Sequence, residues 1–88
     1  MRRQFDLSEA ITIIEQGFLP LTCMVELFDK NRQFRFRVFN KTGQRVLTAS
    51  KALTNRARTR DGLRYMVLRA RNSIEKKGLH LQPWHMPS

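Results

Sequence analysis

The residues best suited to chemistry in this sequence are basic side chains that lie close together between Lys51 and Arg71. A guanidinium group stays charged at physiological pH and can donate two parallel hydrogen bonds to a phosphate. Arg60, Arg64 and Arg71 follow spacings of four and seven, which place them on one side of a helix. Asp61 is the only acid in this stretch, whereas solvated helix faces usually mix both signs. The pattern favours a phosphate-binding surface over a merely solvated helix face.

A second group of arginines falls in a predicted strand. Arg35 and Arg37 alternate with apolar residues, so they share one side of the strand with Phe39, and Arg45 begins the next strand. A basic sheet face with an aromatic ring can follow a phosphate backbone and stack on bases. The alternative is an ordinary solvated sheet face, on which arginine stems cover apolar surface.

These two groups together predict a nucleic-acid-binding site that combines phosphate contacts with one stacking ring. The predicted site residues are Arg35, Arg37, Phe39, Arg45, Lys51, Arg56, Arg58, Arg60 and Arg64.

Motifs of catalysis and metal binding do not occur in the sequence. It contains no Gly-rich phosphate loop, no Cys/His pair at metal-ligand spacing and no nucleophile elbow. Cys23 falls on the inward side of a predicted strand, where a small buried thiol is the ordinary occupant. His80 and His85 lie five apart in a segment with prolines, so no regular element would bring both to one metal. We expect no enzymatic activity, no metal and no cofactor.

Charge is distributed unevenly along the 88 residues. The chain has 17 Lys and Arg against 7 Asp and Glu, a formal net charge of +10, and 12 of the basic residues are Arg. Residues 1–29 carry two basic and five acidic side chains, whereas residues 30–77 carry fifteen basic and two acidic ones. Such an excess favours polyanionic partners.

The elements that must position these residues begin with a helix over 7–16. Asp6 is a good N-cap, and Glu9 stands at the spacing of a reciprocal capping box. Gly17 suits the left-handed position that ends many helices, and Pro20 prevents continuation.

The period then changes to two, which predicts strands over 21–28, 33–39 and 45–48. Turn chemistry at residues 29–32 and 40–43 joins them into a three-stranded antiparallel sheet. Residues 50–53 fit either a loop or a first helical turn. The helical period returns from Gly62 to Lys77, and Gly78 is a suitable C-cap.

The order α-β-β-β-α predicts a single small α+β domain over residues 1–78, with both helices packed on one face of the sheet. Residues 79–88 form a predicted extended tail, in which Trp84 serves either as a lid on the core or as a docking peptide.

Location is constrained by what the sequence lacks. A single cysteine allows no intrachain disulfide, and no apolar run approaches the roughly 20 residues that span a bilayer. Asp6, Glu9 and Glu15 interrupt what would be the core of a signal peptide. We therefore expect a soluble cytoplasmic protein.

The stretch from Ile14 to Cys23, which reads Ile-Glu-Gln-Gly-Phe-Leu-Pro-Leu-Thr-Cys, resembles the opening signature of domain-of-unknown-function family 1652, found in pseudomonads. The resemblance covers about residues 7–77 and includes an Arg-Val pair near the end of the strands and a closing helix rich in Leu and Arg. It implies a compact bacterial α/β domain without an assigned activity.

The element order is also similar to that of double-stranded RNA-binding domains, in which a Ser-Lys segment opens the second helix and faces the phosphates. Ser50, Lys51 and Ala52 resemble that segment.

The sequence thus predicts a small, basic, non-enzymatic bacterial regulator that binds nucleic acid, with DNA and RNA both open. The alternative is a protein-interaction module or inhibitor that docks its basic face on an acidic partner protein. A homodimer through the free edge of the sheet is compatible with both.

Overall fold

The computed structural model describes residues 5–49 and 52–86. Its elements in chain order are α1 (Leu7–Gln16), β1 (Thr22–Phe28), β2 (Gln33–Phe39), β3 (Arg45–Thr48), β4 (Ala52–Leu53), α2 (Thr54–Ala57) and α3 (Arg60–Lys76). The predicted α+β class is confirmed: one helix precedes an antiparallel sheet, and further helices follow it.

The sheet is built around β2, which pairs along its whole length with β1. On the other edge of β2 two short strands follow one another: β3 pairs near Phe39 and β4 pairs near Gln33, both antiparallel. An irregularity between Val38 and Phe39 shifts the register against β3. The expectation of a loop or helical turn just before residue 54 is wrong for Ala52 and Leu53, which form β4.

Alternation along β2 separates an inner sheet face from an outer sheet face. Phe34, Phe36 and Val38 are buried on the inner face, which is the face covered by the helices. Their neighbours Arg35 and Arg37 therefore point to the opposite, outer face. The core also contains apolar residues from both long helices and the turn after α1, among them Ile14, Phe18, Leu63, Val67 and Ile74.

Helix α1 begins as its sequence predicts. Glu9 Oε1 accepts a hydrogen bond from the Asp6 backbone N–H at 3.3 Å, and the Asp6 side chain completes the reciprocal capping box. The prediction for Gly17 is wrong: its φ is −66°, a right-handed helical value. Glycine is needed there for space, because a Cβ would lie 2.6 Å from Val67 Cγ1 of α3. The two helices thus cross at this glycine.

Helix α3 begins at Arg60, two residues earlier than its apolar period indicates. Thr59 caps it, since the Thr59 side chain accepts a hydrogen bond from the Gly62 N–H at 3.1 Å. A Cβ at Gly62 would lie 2.2 Å from the Arg56 carbonyl oxygen, so this glycine lets α2 and α3 approach closely. At the other end Lys77 is the C-cap, and the predicted terminating glycine, Gly78, follows it with a left-handed φ of +86°.

Polar side chains fix the two predicted turns. Between β1 and β2, Asp29, Lys30 and Asn31 have positive φ values of 51°, 52° and 68°. Thr54 holds this turn from α2 by donating its hydroxyl to the Asn31 carbonyl at 2.8 Å. Between β2 and β3, the Asn40 side chain accepts hydrogen bonds from the N–H groups of residues 42 and 44.

Residues 79–86 form no regular element but pack back on the body of the protein. Leu79, Leu81 and Trp84 are partly buried against the core, and Met86 is buried. The Gln82 N–H donates to the Leu19 carbonyl at 2.9 Å. Trp84 thus lies over its own core.

Candidate nucleic-acid interface

The structure divides the predicted site residues between two opposite sides of the sheet. Arg35, Arg37, Phe39 and Arg45 belong to the outer sheet face. The other side carries a set of exposed side chains from α2, α3 and their junction, which we call the helical basic surface; it comprises Arg56, Arg58, Arg60, Arg64, Tyr65 and Arg69. Arg56 lies with Phe34 and Phe36 around one cleft, which places this surface on the helix side. Lys51 lies outside the described residues.

Two of the three arginines on the outer sheet face are already engaged by a single acid. Arg35 and Arg37 lie opposite Glu26 and Met24 on β1. Their Nη2 atoms are 3.3 and 3.2 Å from the two carboxylate oxygens of Glu26. The Nε atoms of both arginines are buried and have no hydrogen-bond partner among the described residues. A phosphate would have to displace Glu26 or share these guanidinium groups with it.

Aromatic and apolar side chains complete the outer sheet face. The Arg35 guanidinium carbon lies 5.0 Å from the centre of the Phe28 ring, a cation–π distance. Phe39 is partly buried and pairs with the exposed Arg45 across the shifted register. The expectation that Phe39 shares the side of the arginines is confirmed, and Phe28 lies on the same side. Met24 is 57% exposed and Leu53 48% exposed on the same face, which is therefore mixed rather than basic.

The helical basic surface has a different charge balance. It carries five arginines, and Asp61 is the only acid in the sequence between residues 52 and 74. Arg56 and Arg64 are exposed and make no side-chain hydrogen bond or ion pair with the described residues. Two depressions share Tyr65 and Arg69; Arg56 borders one and Arg64 the other. These residues therefore form one continuous surface.

Tyr65 and Arg69 are the residues of this surface that the predicted site omits. They stand four apart on α3, a spacing that brings side chains together on one helix face. The Arg69 Nη1 donates to the Tyr65 hydroxyl at 3.2 Å, and its guanidinium carbon lies 6.0 Å from the ring centre. The Tyr65 ring is 63% exposed, so it offers a flat apolar surface beside a cation. The i, i+4 spacing of Tyr65 and Arg69 can be read from the sequence, so it is the feature from which both residues could have been predicted.

Two arginines of the basic stretch have structural contacts. Arg58 Nε donates to the Phe5 carbonyl at 2.9 Å, while the Phe5 N–H donates to the Arg58 carbonyl at 2.7 Å. Arg71 is only 8% exposed and donates to the carbonyls of Gly17 at 2.6 Å and Gln82 at 2.7 Å. The prediction that Arg71 faces phosphates together with Arg60 and Arg64 is wrong, because α1 and the C-terminal segment cover it.

Cys23 is buried and takes no part in this surface. Burial raises the pKa of the Cys23 thiol to about 12, and the negative charge of Glu15 adds to that shift. The thiol is therefore protonated and a poor nucleophile at neutral pH. Among the described residues, no cluster of three or more His, Cys, Asp or Glu could hold a metal ion. Over the same ranges, no helix has the length and apolar character to cross a membrane.

The fold and surface define a small α+β protein with a basic side built from α2 and α3. The chain belongs to DUF1652, a family described as protein of unknown function, whose sequence profile matches residues 8–74. This confirms the resemblance carried by the motif from Ile14 to Cys23. No curated protein and no solved structure matches the chain. The similarity of element order to double-stranded RNA-binding domains does not extend to Ala52, because Ala52 lies in β4 and not in the segment that opens a helix.

Proposed function

We propose that this protein is a non-enzymatic nucleic-acid-binding regulator whose main contact is the helical basic surface. The observation that carries the proposal is the continuous group of exposed arginines around Tyr65, with Asp61 as the only acid nearby in sequence. Guanidinium groups at Arg56, Arg64 and Arg69 bind phosphate oxygens, because they are charged, exposed and suited to bidentate contacts. Tyr65 stacks on a base.

The outer sheet face is a weaker candidate for the same role. Glu26 already neutralises half of the charge that Arg35 and Arg37 bring, and the buried Nε atoms leave only part of each guanidinium accessible. We therefore assign phosphate contact to the helix side, and of the predicted residues retain Arg56, Arg60 and Arg64 as the central ones.

The test is fluorescence anisotropy with labelled single- and double-stranded DNA and RNA at about 50 and 200 mM salt. If about four arginines meet duplex DNA phosphates, the logarithm of the binding constant falls against the logarithm of salt with a slope of about −3 to −4. The variant R64Q/R69Q should weaken binding at least tenfold and bring the slope closer to zero by about 2, since two phosphate contacts are lost.

A matched control comes from R32Q/K41Q, which removes the same charge from two exposed basic residues in the turns before and after β2. It should leave both affinity and slope close to those of the unmodified protein. Equal losses in the two variants would mean that only net charge matters, and the proposed surface would then be wrong. Y65S should weaken single-stranded ligands more than duplexes, because only unpaired bases can stack on the ring.

The second candidate function, docking on an acidic protein, is favoured by the composition of the outer sheet face. Exposed Met24 lies opposite Arg37, and exposed Leu53 lies opposite Gln33 nearer the other end of β2. Met, Arg and aromatic residues are enriched at protein interfaces. M24S/L53S should then abolish co-purification of one acidic protein that R64Q/R69Q still retains. Retention of that protein by M24S/L53S would count against docking through this face.

A further inference from the structure

A cleft of about 490 Å³ lies between α3 and the edge of the sheet formed by β3 and β4. Its floor is the inner sheet face, where the rings of Phe34 and Phe36 lie nearly parallel, 16° apart, with centres at 6.5 Å. Leu47 and Met66 stand on opposite walls, from β3 and α3. The volume falls in the range of about 300–1,000 Å³ that is typical of small-molecule sites.

The cleft remains open because small side chains line both walls. Ala49 and Ala52 stand on the strand side, while Ala70 and Ser73 stand on the helix side. Interiors normally fill such a space, since unfilled contacts cost packing energy. Here four small residues face one another across the gap, and their side chains are too short to fill it. Met66 has a flexible side chain that can adapt to an occupant.

The rim of the cleft carries charge of one sign. Of the described residues that line it, the only charged ones are Arg56 and Arg69. The Tyr65 hydroxyl, which accepts from Arg69, also lies at the rim. An apolar floor below two guanidinium groups is complementary to a molecule with an apolar body and one negative end.

We propose that this cleft binds a small amphiphilic monoanion, with its apolar body between Leu47 and Met66, above the buried rings of Phe34 and Phe36, and its anionic head, such as a carboxylate, between Arg56 and Arg69. This site shares Arg56 and Arg69 with the helical basic surface, but the proposal does not rest on the nucleic-acid function, because a small ligand can occupy the cleft whether or not the protein binds a polyanion. The small residues of the walls admit the apolar body, and the two arginines select its charge.

The test uses decanoate as the probe, titrated into the full-length ¹⁵N-labelled protein and followed by amide chemical shifts. We expect saturable binding, with the largest shifts at the amides of Ala52, Met66 and Ala70. Decanol, which lacks the charge, should bind about tenfold more weakly, and acetate, which lacks the apolar body, should produce no saturable shifts at these amides. Equal affinity for decanol and decanoate would overturn the proposal, as would shifts confined to other surfaces.

Two variants, with one control variant, locate the site. R69Q should weaken decanoate binding about fivefold or more, whereas R64Q, on the same helix but outside the cleft, should bind as tightly as the unmodified protein. A52L places a larger side chain in the cleft and should abolish binding, with retained amide dispersion showing that the fold survives. Undiminished binding by both R69Q and A52L would place the ligand elsewhere.

Discussion

Arg64 and Arg71 lie two helical turns apart on the same side of α3 and have opposite roles. Arg64 is exposed at the helical basic surface, while Arg71 is enclosed by the end of α1 and the segment after α3. The Arg71 guanidinium acts inside the protein, where it donates hydrogen bonds to two backbone carbonyls that would otherwise lack these partners. An arginine-rich sequence therefore contains both exposed arginines that are open to a ligand and a buried arginine with structural contacts.

R71M should destabilise the fold by about 2–4 kcal/mol, because it keeps an apolar stem and removes the donors to the Gly17 and Gln82 carbonyls. Urea unfolding measures the effect. R64Q serves as the control, since a change at an exposed position is expected to alter stability by less than about 0.5 kcal/mol. Equal stabilities of R71M and R64Q would show that the buried hydrogen bonds contribute little.

Cys23 gives the fold a defined sensitivity to alkali. Its thiol has a pKa of about 12 in the folded protein, against an ordinary value of 9.0. The unfolded chain therefore binds fewer protons than the folded one between these two pH values. The stability due to the neutral buried thiol is complete below pH 9 and declines as pH rises toward 12, by about 1 kcal/mol per pH unit.

The measurement is urea unfolding of the unmodified protein and C23A at pH 8, 9 and 10. Other groups titrate alike in both proteins, so the difference between the two free energies of unfolding isolates the thiol. The unmodified protein should lose stability relative to C23A only above pH 9. Parallel curves over the whole range would contradict the burial of an un-ionised thiol.

Which arginine is buried could not be predicted from the helical period alone. Arg60, Arg64 and Arg71 occupy equivalent angles on α3, and the period identifies that shared side correctly. What distinguishes Arg71 is contact with Gly17 and Gln82, which are 54 and 11 residues away in the chain. By contrast, the pair Tyr65 and Arg69 is local and could have been predicted from its spacing.

Among the elements, α1, β2 and β3 could be predicted from sequence with their bounds, because their apolar periods are regular and turn residues flank them. β4 could not, since two residues are too short to show a period. It exists because Ala52 and Leu53 meet the free edge of β2 opposite Phe34 and Gln33. The apolar period places the start of α3 two residues too late, because capping by Thr59, and not apolar spacing, determines where the helix begins.

Gly17 lies where α1 packs against α3, so a substitution at this position measures how closely the two helices approach. Alanine would ordinarily be favourable at a residue with helical φ and ψ, because glycine costs backbone entropy. Here a Cβ would lie 2.6 Å from Val67 Cγ1, and Val67 is buried with a stiff side chain. G17A should therefore destabilise the protein by about 1–3 kcal/mol despite the local gain.

The double-mutant cycle with V67A identifies the cause. If the clash is responsible, adding G17A to V67A should cost far less than adding it to the unmodified protein, and the two changes should couple by at least about 1 kcal/mol in thermal or urea unfolding. Additive effects would mean that the helices do not meet at this glycine.

For the whole molecule, the sheet determines which basic residues can act together. The site predicted from the sequence includes Arg35 and Arg37 together with Arg56 and Arg64, but the two pairs lie on opposite sides of β2. A ligand cannot contact both sides without wrapping around an edge. The net charge of +10 therefore overstates the charge available at any one surface. The helix side keeps most of its excess, whereas Glu26 reduces that of the outer sheet face.

The helical basic surface and the cleft share Arg56, Tyr65 and Arg69, so their two ligands should compete. A decanoate head between the two guanidinium groups would contact both cations and cancel one of their two positive charges. At saturating decanoate, nucleic-acid affinity should fall at least tenfold, and the salt slope should move toward zero by about 1. Decanol at the same concentration controls for effects of the apolar chain, and A52L should bind nucleic acid normally but lose the response to decanoate. Unchanged affinity with the cleft shown to be full would mean that the phosphates are held by Arg60 and Arg64 instead, away from the cleft.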